Sequence, residues 1–219
     1  MMQSPTNHVI VQVKTKYIKN ITTILKMAEI QNASSVSAAD CVNIVGEVVS
    51  APKMLTKEYS NYSTRDIRPG DVCIFSHEVI YNFLPTAPEE EPVYKNLFTH
   101  NGQEYFVCHI RNLYAVVRDG NIRMQNGFVM VEDAQKKSQL YMPQHLKKKI
   151  SCGSGKLTKK GYPMKNEPEL NIEPGDEVYF NPNKLRIYQV NEKPFCILKQ
   201  SQLIGRKVPE YGELVAVTG

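Results

Sequence analysis

No run in this chain approaches the roughly 18 uninterrupted apolar residues of a membrane span, and Met1-Met2-Gln3-Ser4-Pro5 has neither a basic n-region nor an apolar h-region. The expectation is a cytoplasmic protein with no membrane partner. Cysteine is sparse: Cys41, Cys73, Cys108, Cys152 and Cys196 are odd in number, lack any Cys-x-x-Cys spacing, and three of them sit in apolar strand patterns. No disulfide framework is required, and buried free thiols in a reducing compartment are expected. Motifs that carry chemistry are missing as well. The histidines His8, His77, His100, His109 and His145 show no metal-ligand spacing, and there is no nucleophile elbow, phosphate loop or dinucleotide fingerprint. Gly153-Ser154-Gly155 before Lys156 is too short for a phosphate-binding loop. Cys108 and His109 are neighbours on a strand pattern and so point to opposite faces. The chain is expected to be no enzyme and to hold neither cofactor nor metal.

What the chain does have is repetition. Ile67-Arg68-Pro69-Gly70-Asp71-Val72-Cys73-Ile74-Phe75 returns 105 residues later as Ile172-Glu173-Pro174-Gly175-Asp176-Glu177-Val178-Tyr179-Phe180. In each copy Pro presets φ, Gly supplies φ > 0, and an alternating apolar strand follows. Val9-Ile10-Val11-Gln12-Val13 matches Phe128-Val129-Met130-Val131-Glu132 at an offset of 119, and Tyr105-Phe106-Val107-Cys108 matches Pro194-Phe195-Cys196-Ile197 at 89. The same order found twice implies a tandem duplication with a shorter second copy. Two units follow, 1–119 with an extended loop over 15–41 and 120–219 with a loop over 134–151, joined at the turn Asp119-Gly120-Asn121. At 219 residues each unit has about 100, enough for a core without staples.

Short β-branched or aromatic segments dominate: 9–13, 42–49, 72–75, 104–110, 113–117, 128–131, 178–180, 185–190 and 195–198 all read as strands, which implies an all-β barrel or sandwich. Ile18, Ile21, Leu25 and Ala28 recur at helical spacing and predict a helix of at most three turns between Tyr17 and Glu29. The second loop carries an apolar cluster, Leu140-Tyr141-Met142, within an otherwise polar stretch. Exposing such side chains is unfavourable unless a partner covers them. Charge is uneven: the net value is +5, yet the stretch from Lys136 to Lys165 holds nine lysines and no acidic residue. Glu89-Glu90-Glu91 lies between Pro85, Pro88 and Pro92 and reads as a solvated loop.

In this order the segments resemble the GroES family of co-chaperonins. Pro5 with Val9-Ile10-Val11, then Gly46-Glu47-Val48-Val49, Pro69-Gly70-Asp71-Val72-Cys73-Ile74-Phe75 and Asn112-Leu113-Tyr114-Ala115-Val116-Val117 fill the family's positions in the first unit. Phe128-Val129-Met130-Val131, Leu140-Tyr141-Met142-Pro143, Cys152-Gly153-Ser154-Gly155, Pro174-Gly175-Asp176-Glu177-Val178-Tyr179-Phe180 and Ser201-Gln202-Leu203-Ile204 fill them in the second. The resemblance implies two tandem GroES-like, partly open β-barrels, each with a long mobile loop, in a homo-oligomer that forms a ring. It implies docking into a GroEL-type chaperonin through Ile24 and Leu25 in the first loop and Leu140, Tyr141 and Met142 in the second. ATP would then be bound by the chaperonin and not by this chain. The chain departs from the family's pattern in having Gln139 where a glycine precedes the anchor, and in its helical first loop. Two other readings stand beside it. One is a virion-type structural or assembly protein that reuses the barrel. The other is a tandem barrel binding nucleic acid through the lysine stretch, against which stands the scarcity of interleaved aromatics, only Tyr141 and Tyr162.

Overall fold

A computed structural model describes residues 2–14, 44–56, 66–80, 83–84, 93–140, 150–164, 167–181, 186–190, 193–207 and 214–216. The expected helix at 17–29, Cys41, the acidic insertion at 85–92, and Ile24, Leu25, Tyr141 and Met142 all lie outside these residues. The chain divides into two units, Met1–Gln125 and Asn126–Gly219.

Unit one contains β1 (His8–Gln12), β2 (Val45–Ser50), β3 (Val72–Phe75), β4 (Phe83–Leu84), β5 (Val93–Tyr94), β6 (Leu97–His100), β7 (Gln103–His109), β8 (Leu113–Arg118) and β9 (Asn121–Met124). Seven of these form an antiparallel sheet in the order β6-β7-β1-β2-β3-β8-β9, and β4 pairs with β5 apart from it. The Asp119-Gly120 turn, with φ of 50° and 75°, closes the β8–β9 hairpin inside this unit. Unit two contains β10 (Phe128–Leu140), β11 (Ile150–Lys160), β12 (Glu177–Phe180), β13 (Arg186–Val190), β14 (Lys193–Lys199), β15 (Leu203–Lys207) and β16 (Leu214–Ala216). Its sheet runs β13-β14-β10-β11-β12-β15-β16. The chain is therefore all-β among the described residues, with two antiparallel seven-stranded sheets. Neither sheet is a closed barrel: β6 and β9 are edges of the first, β13 and β16 of the second.

The two strand orders are the same when read in parallel, and so are their irregularities. The β1–β2 ladder shifts register between Ile10 and Val11, the β10–β11 ladder between Met130 and Val131. A second shift falls between Ile74 and Phe75 in one unit and between Tyr179 and Phe180 in the other. The Ile110 amide donates to Asn7 O and the Gln200 amide to Gly127 O, each at 2.9 Å, and both acceptor residues have positive φ. These anchors pair Val9 with Val129, Val48 with Leu157, Phe75 with Phe180 and Cys108 with Leu198, at offsets of 120, 109, 105 and 90. The sequence matches at 119 and 89 are thus each one residue out of register. They aligned Phe128 with Val9, but Phe128 is only partly buried and replaces the partly buried His8, whereas Val129 and Val131 are fully buried like Val9 and Val11.

Equivalent positions build equivalent cores. In unit two Val129, Val131, Leu157, Ile172, Val178, Phe180, Cys196 and Leu198 pack together. In unit one the corresponding Val9, Val11, Val48, Ile67, Cys73, Phe75, Phe106 and Cys108 are all buried. Three of the cysteines are therefore volume fillers whose counterpart is Val, Leu or Phe. Burial pushes the Cys73 thiol up to about 12 and holds Cys108 well above its usual value. Cys73, Cys108, Cys152 and Cys196 are all free and buried.

The Pro-Gly-Asp turns tie the second strand of each unit to the third. Gly70 has φ of 90° and Gly175 of 108°, so each supplies the positive φ of a type II turn. Gly70 N–H donates to Val48 O at 2.8 Å and Gly175 N–H to Leu157 O at 2.7 Å. Val48 and Leu157 return the bond through their own amides to Asp71 O and Asp176 O, each at 2.8 Å. The aspartate side chain closes the turn, Asp71 Oδ2 accepting from Arg68 N–H at 2.8 Å and Asp176 Oδ2 from Glu173 N–H at 2.9 Å. Asp71 also accepts a two-pronged bond from Arg118 on β8, Nε to Oδ1 at 2.6 Å and Nη2 to Oδ2 at 2.8 Å. Burial alone would raise the Asp71 carboxyl, but the Arg118 fork and the Arg68 amide outweigh it and hold it below the usual carboxylate range. Asp176 accepts a single bond of 3.1 Å from Arg206 on β15.

Two predictions follow from this packing. Asp71→Ala should lower unfolding free energy in urea by on the order of 2 kcal/mol, because it strips a turn amide and a guanidinium of their acceptor. Arg68→Ala, which keeps the backbone donor and removes a side chain 68% exposed, should change it little. With Cys41 replaced by Ser, the native protein should leave an aromatic disulfide reagent unreduced on the minute scale. The remaining four thiols should react only in denaturant.

Candidate functional site

The residues expected from the sequence to bind a partner fall in or beside the connections after the first strand of each unit. The strand order makes those connections equivalent: Ile24 and Leu25 fall between β1 and β2, Tyr141 and Met142 between β10 and β11. Leu140 is the last residue of β10, and the structure describes its backbone, opposite Ile150. Ile24, Leu25, Tyr141 and Met142 lie outside the described residues.

Among the described residues the β10–β11 ladder is longer than the β1–β2 ladder. In unit one the pairing runs Ile10↔Ser50, Val11↔Val48, Gln12↔Glu47, and Lys14 adds an ion pair to Glu47 just beyond it. In unit two the same steps, Met130↔Lys159, Val131↔Leu157 and Glu132↔Lys156, are followed by Gln135↔Ser154, Ser138↔Cys152, Gln139↔Ser151 and Leu140↔Ile150. β14 pairs with β10 only at Phe128–Val131, and β12 pairs with β11 only at Gly153–Lys156. The last three pairs therefore lie beyond the flanking strands and form a two-stranded ribbon. Residues 134–140 and 150–151, assigned to a loop from the sequence, belong to these strands.

The sequence Ile150-Ser151-Cys152-Gly153-Ser154-Gly155 conceals a strand because glycine and serine are poor strand formers. Tertiary packing overrides that propensity. A Cβ at Gly153 would stand 2.2 Å from a ring carbon of Phe180, which is fully buried, so the bare backbone is what admits the ring. Gly46 has a milder version of the same contact, 3.2 Å to Phe75 Cε1. By register the counterpart of Gly46-Glu47-Val48 is Gly155-Lys156-Leu157, two residues later than the phrase singled out in the sequence.

Described lysines of the basic stretch have acidic neighbours from outside it. Lys156 lies between Glu132 on β10 and Glu177 on β12 in the ladder, and Lys160 Nζ is 3.2 Å from Glu169 and 2.8 Å from Leu170 O. The acid-free run in sequence is thus partly neutralised in the fold. Among the described residues no group of three or more His, Cys, Asp or Glu is placed to hold a metal ion. No helix among them is long and apolar enough to cross a membrane.

The fork of Arg118 on Asp71, joined by Asp66 with Arg118 at 3.5 Å and Arg123 at 2.5 Å, was not legible in the sequence. The phrase Pro-Gly-Asp signalled the turn, while the arginines 47 or more residues away carried no local signal. The arrangement is a lock between β3, β8 and β9, with each charge occupied.

Gly153→Ala should therefore destabilise the chain by about 1–3 kcal/mol through overpacking, and more than Gly46→Ala does, measured as the shift of the urea midpoint. No protein-family model matches this chain, and no curated protein matches it either.

Proposed function

We propose that the chain is a co-chaperonin of GroES-like architecture, two open β-units in tandem, that docks on a GroEL-type chaperonin and caps its folding chamber. The observation that carries this reading is the placement of both apolar clusters in the same connection of a duplicated unit, after the first strand and before the second. The second connection adds a ribbon that carries Leu140 beyond the flanking strands. A tip of this kind contributes affinity by burying a few apolar side chains, each worth about 1.5–3 kcal/mol when fully covered. The ordering cost of the segment offsets part of that gain, which keeps the contact reversible.

The chain performs no chemistry in this reading. Nucleotide is bound and hydrolysed by the chaperonin, and the role of this protein is to close the chamber in the cytoplasm. A ring of identical copies supplies several tips at once, so weak single contacts add through effective concentration.

The test mixes the protein with a GroEL-type chaperonin under ATP, ADP and nucleotide-free conditions and looks for a cosedimenting complex. Replacing Leu140, Tyr141 and Met142 together by Ser should weaken the complex at least tenfold, since losing even one covered apolar side chain costs about a factor of ten. Ile24→Ser with Leu25→Ser should weaken it through the first connection. Absence of a complex under every nucleotide condition contradicts the proposal.

A further inference from the structure

His8 and His109 sit directly opposite each other on β1 and β7, with ring centroids 4.7 Å apart and planes at 83°. His8 Nδ1 is 2.7 Å from Thr6 O, a bond in which the ring donates. His109 Nδ1 accepts from Arg111 N–H at 3.2 Å, so His109 is the N-cap of the 3-10 turn Ile110–Asn112. That turn holds two seams of unit one together. Ile110 N–H donates to Asn7 O at 2.9 Å, and Asn112 O accepts from Ser76 N–H at 2.8 Å.

Unit two has a different pair at the same ladder step. Phe128 replaces His8 and Lys199 replaces His109, opposite each other on β10 and β14. Lys199 Nζ lies 5.5 Å over the Phe128 ring and 3.0 Å from Glu167 Oε1. Lys199 is also the N-cap of the equivalent 3-10 turn Gln200–Gln202, and its side chain makes no capping bond there. A cation over an aromatic ring is attractive, and lysine keeps its charge throughout the neutral and acid range. One copy thus sets a lysine over an aromatic ring, the other two imidazoles edge to face.

We propose that the His8–His109 pair is an acid-sensitive latch that loosens unit one, and not unit two, when a proton adds to His109. The proton goes to Nδ1, the atom that accepts the Arg111 amide, so the cap is lost in the same event. The new cation then faces His8 on β1 and Arg111 on the 3-10 turn. The turn His77–Val79, which also packs against β7, carries His77 and Glu78. Burial, then His8, then Arg111 push the His109 imidazole down to about 4. A histidine held below its unfolded value near 6.5 contributes stability that is complete above pH 6.5 and lost as pH falls towards 4. Asp66, held down chiefly by Arg123 against the opposing effect of burial, and Asp71, held down by the Arg118 fork, lose their contribution only below about pH 4. The two acid effects therefore occupy different windows.

The experiment is amide hydrogen exchange on the full chain at pH 7 and pH 5, corrected for intrinsic rates and read peptide by peptide. Opening of β1, β7 and Ile110–Asn112 should rise roughly tenfold relative to β10, β14 and Gln200–Gln202. His109→Asn keeps an acceptor oxygen without a charge, and His8→Phe with His109→Lys copies the pair of unit two. Both variants should flatten the difference. The quantity read is the pH slope, so a variant that is merely less stable at pH 7 still decides the matter. An equal response of the two units, or an unchanged slope in His109→Asn, overturns the proposal.

Discussion

Each unit depends on the Pro-Gly-Asp turn being locked from two directions. The backbone of the glycine and aspartate exchanges hydrogen bonds with the second strand, at Val48 or Leu157, while the aspartate carboxylate closes its own turn and receives an arginine from β8 or β15. A buried carboxylate is costly unless every acceptor site is used. Asp71 is only 3% exposed and its oxygens are taken by Arg68 N–H and the Arg118 fork. In unit one β2, β3 and β8 meet at this point, and in unit two β11, β12 and β15, so their registers are set together.

Around that lock the two copies have drifted in ways that keep volume and face. Cys73 exchanges with Val178, Cys108 with Leu198 and Phe106 with Cys196 inside matching cores. The arginine that reaches the aspartate has moved by two residues along its strand: Arg118 is opposite Asn121 beyond the Val117↔Val72 pair, whereas Arg206 is opposite Val178. A step of two leaves a side chain on the same face of a strand, which is why the contact survives the change. The largest differences are in the connections. The offset drops from 120 to 109 between the first and second strands, and from 105 to 90 after the third. Loop length is cheap to alter compared with a core contact.

Much of this architecture was legible because β-branched and aromatic runs mark their own strands. Val72–Phe75 was placed to the residue, and β1, β7, β8 and β14 to within one or two. The Pro-Gly-Asp turn carried its own φ logic and its recurrence exposed the duplication. Three things were hidden for physical reasons. β11 was hidden by its run of glycine and serine, in which Gly153 admits a Phe180 ring that comes from elsewhere in the chain. β9 and β16 are short edge strands whose pairing is decided by the hairpins that present them. The one-residue error at the first strand of the repeat arose because Phe128 looks like a core residue in sequence but takes the half-buried place of His8. For the residues proposed to bind a partner, the apolar character was legible in the sequence, and the equivalence of the two connections came from the strand order.

In the proposed co-chaperonin, the turn lock builds the scaffold, and docking is carried in the connections between the first and second strands of each unit. Tryptic footprinting tests that separation most directly, because Lys136, Lys137, Lys147, Lys148 and Lys149 lie in or beside the second connection and Lys14, Lys16, Lys19 and Lys26 in or beside the first. On adding a GroEL-type chaperonin with nucleotide, cleavage at one or both of these clusters should slow, while cleavage at the exposed Lys95 continues unchanged. Unaltered cleavage in both connections in the presence of a bound chaperonin, or protection confined to sites elsewhere, would contradict it.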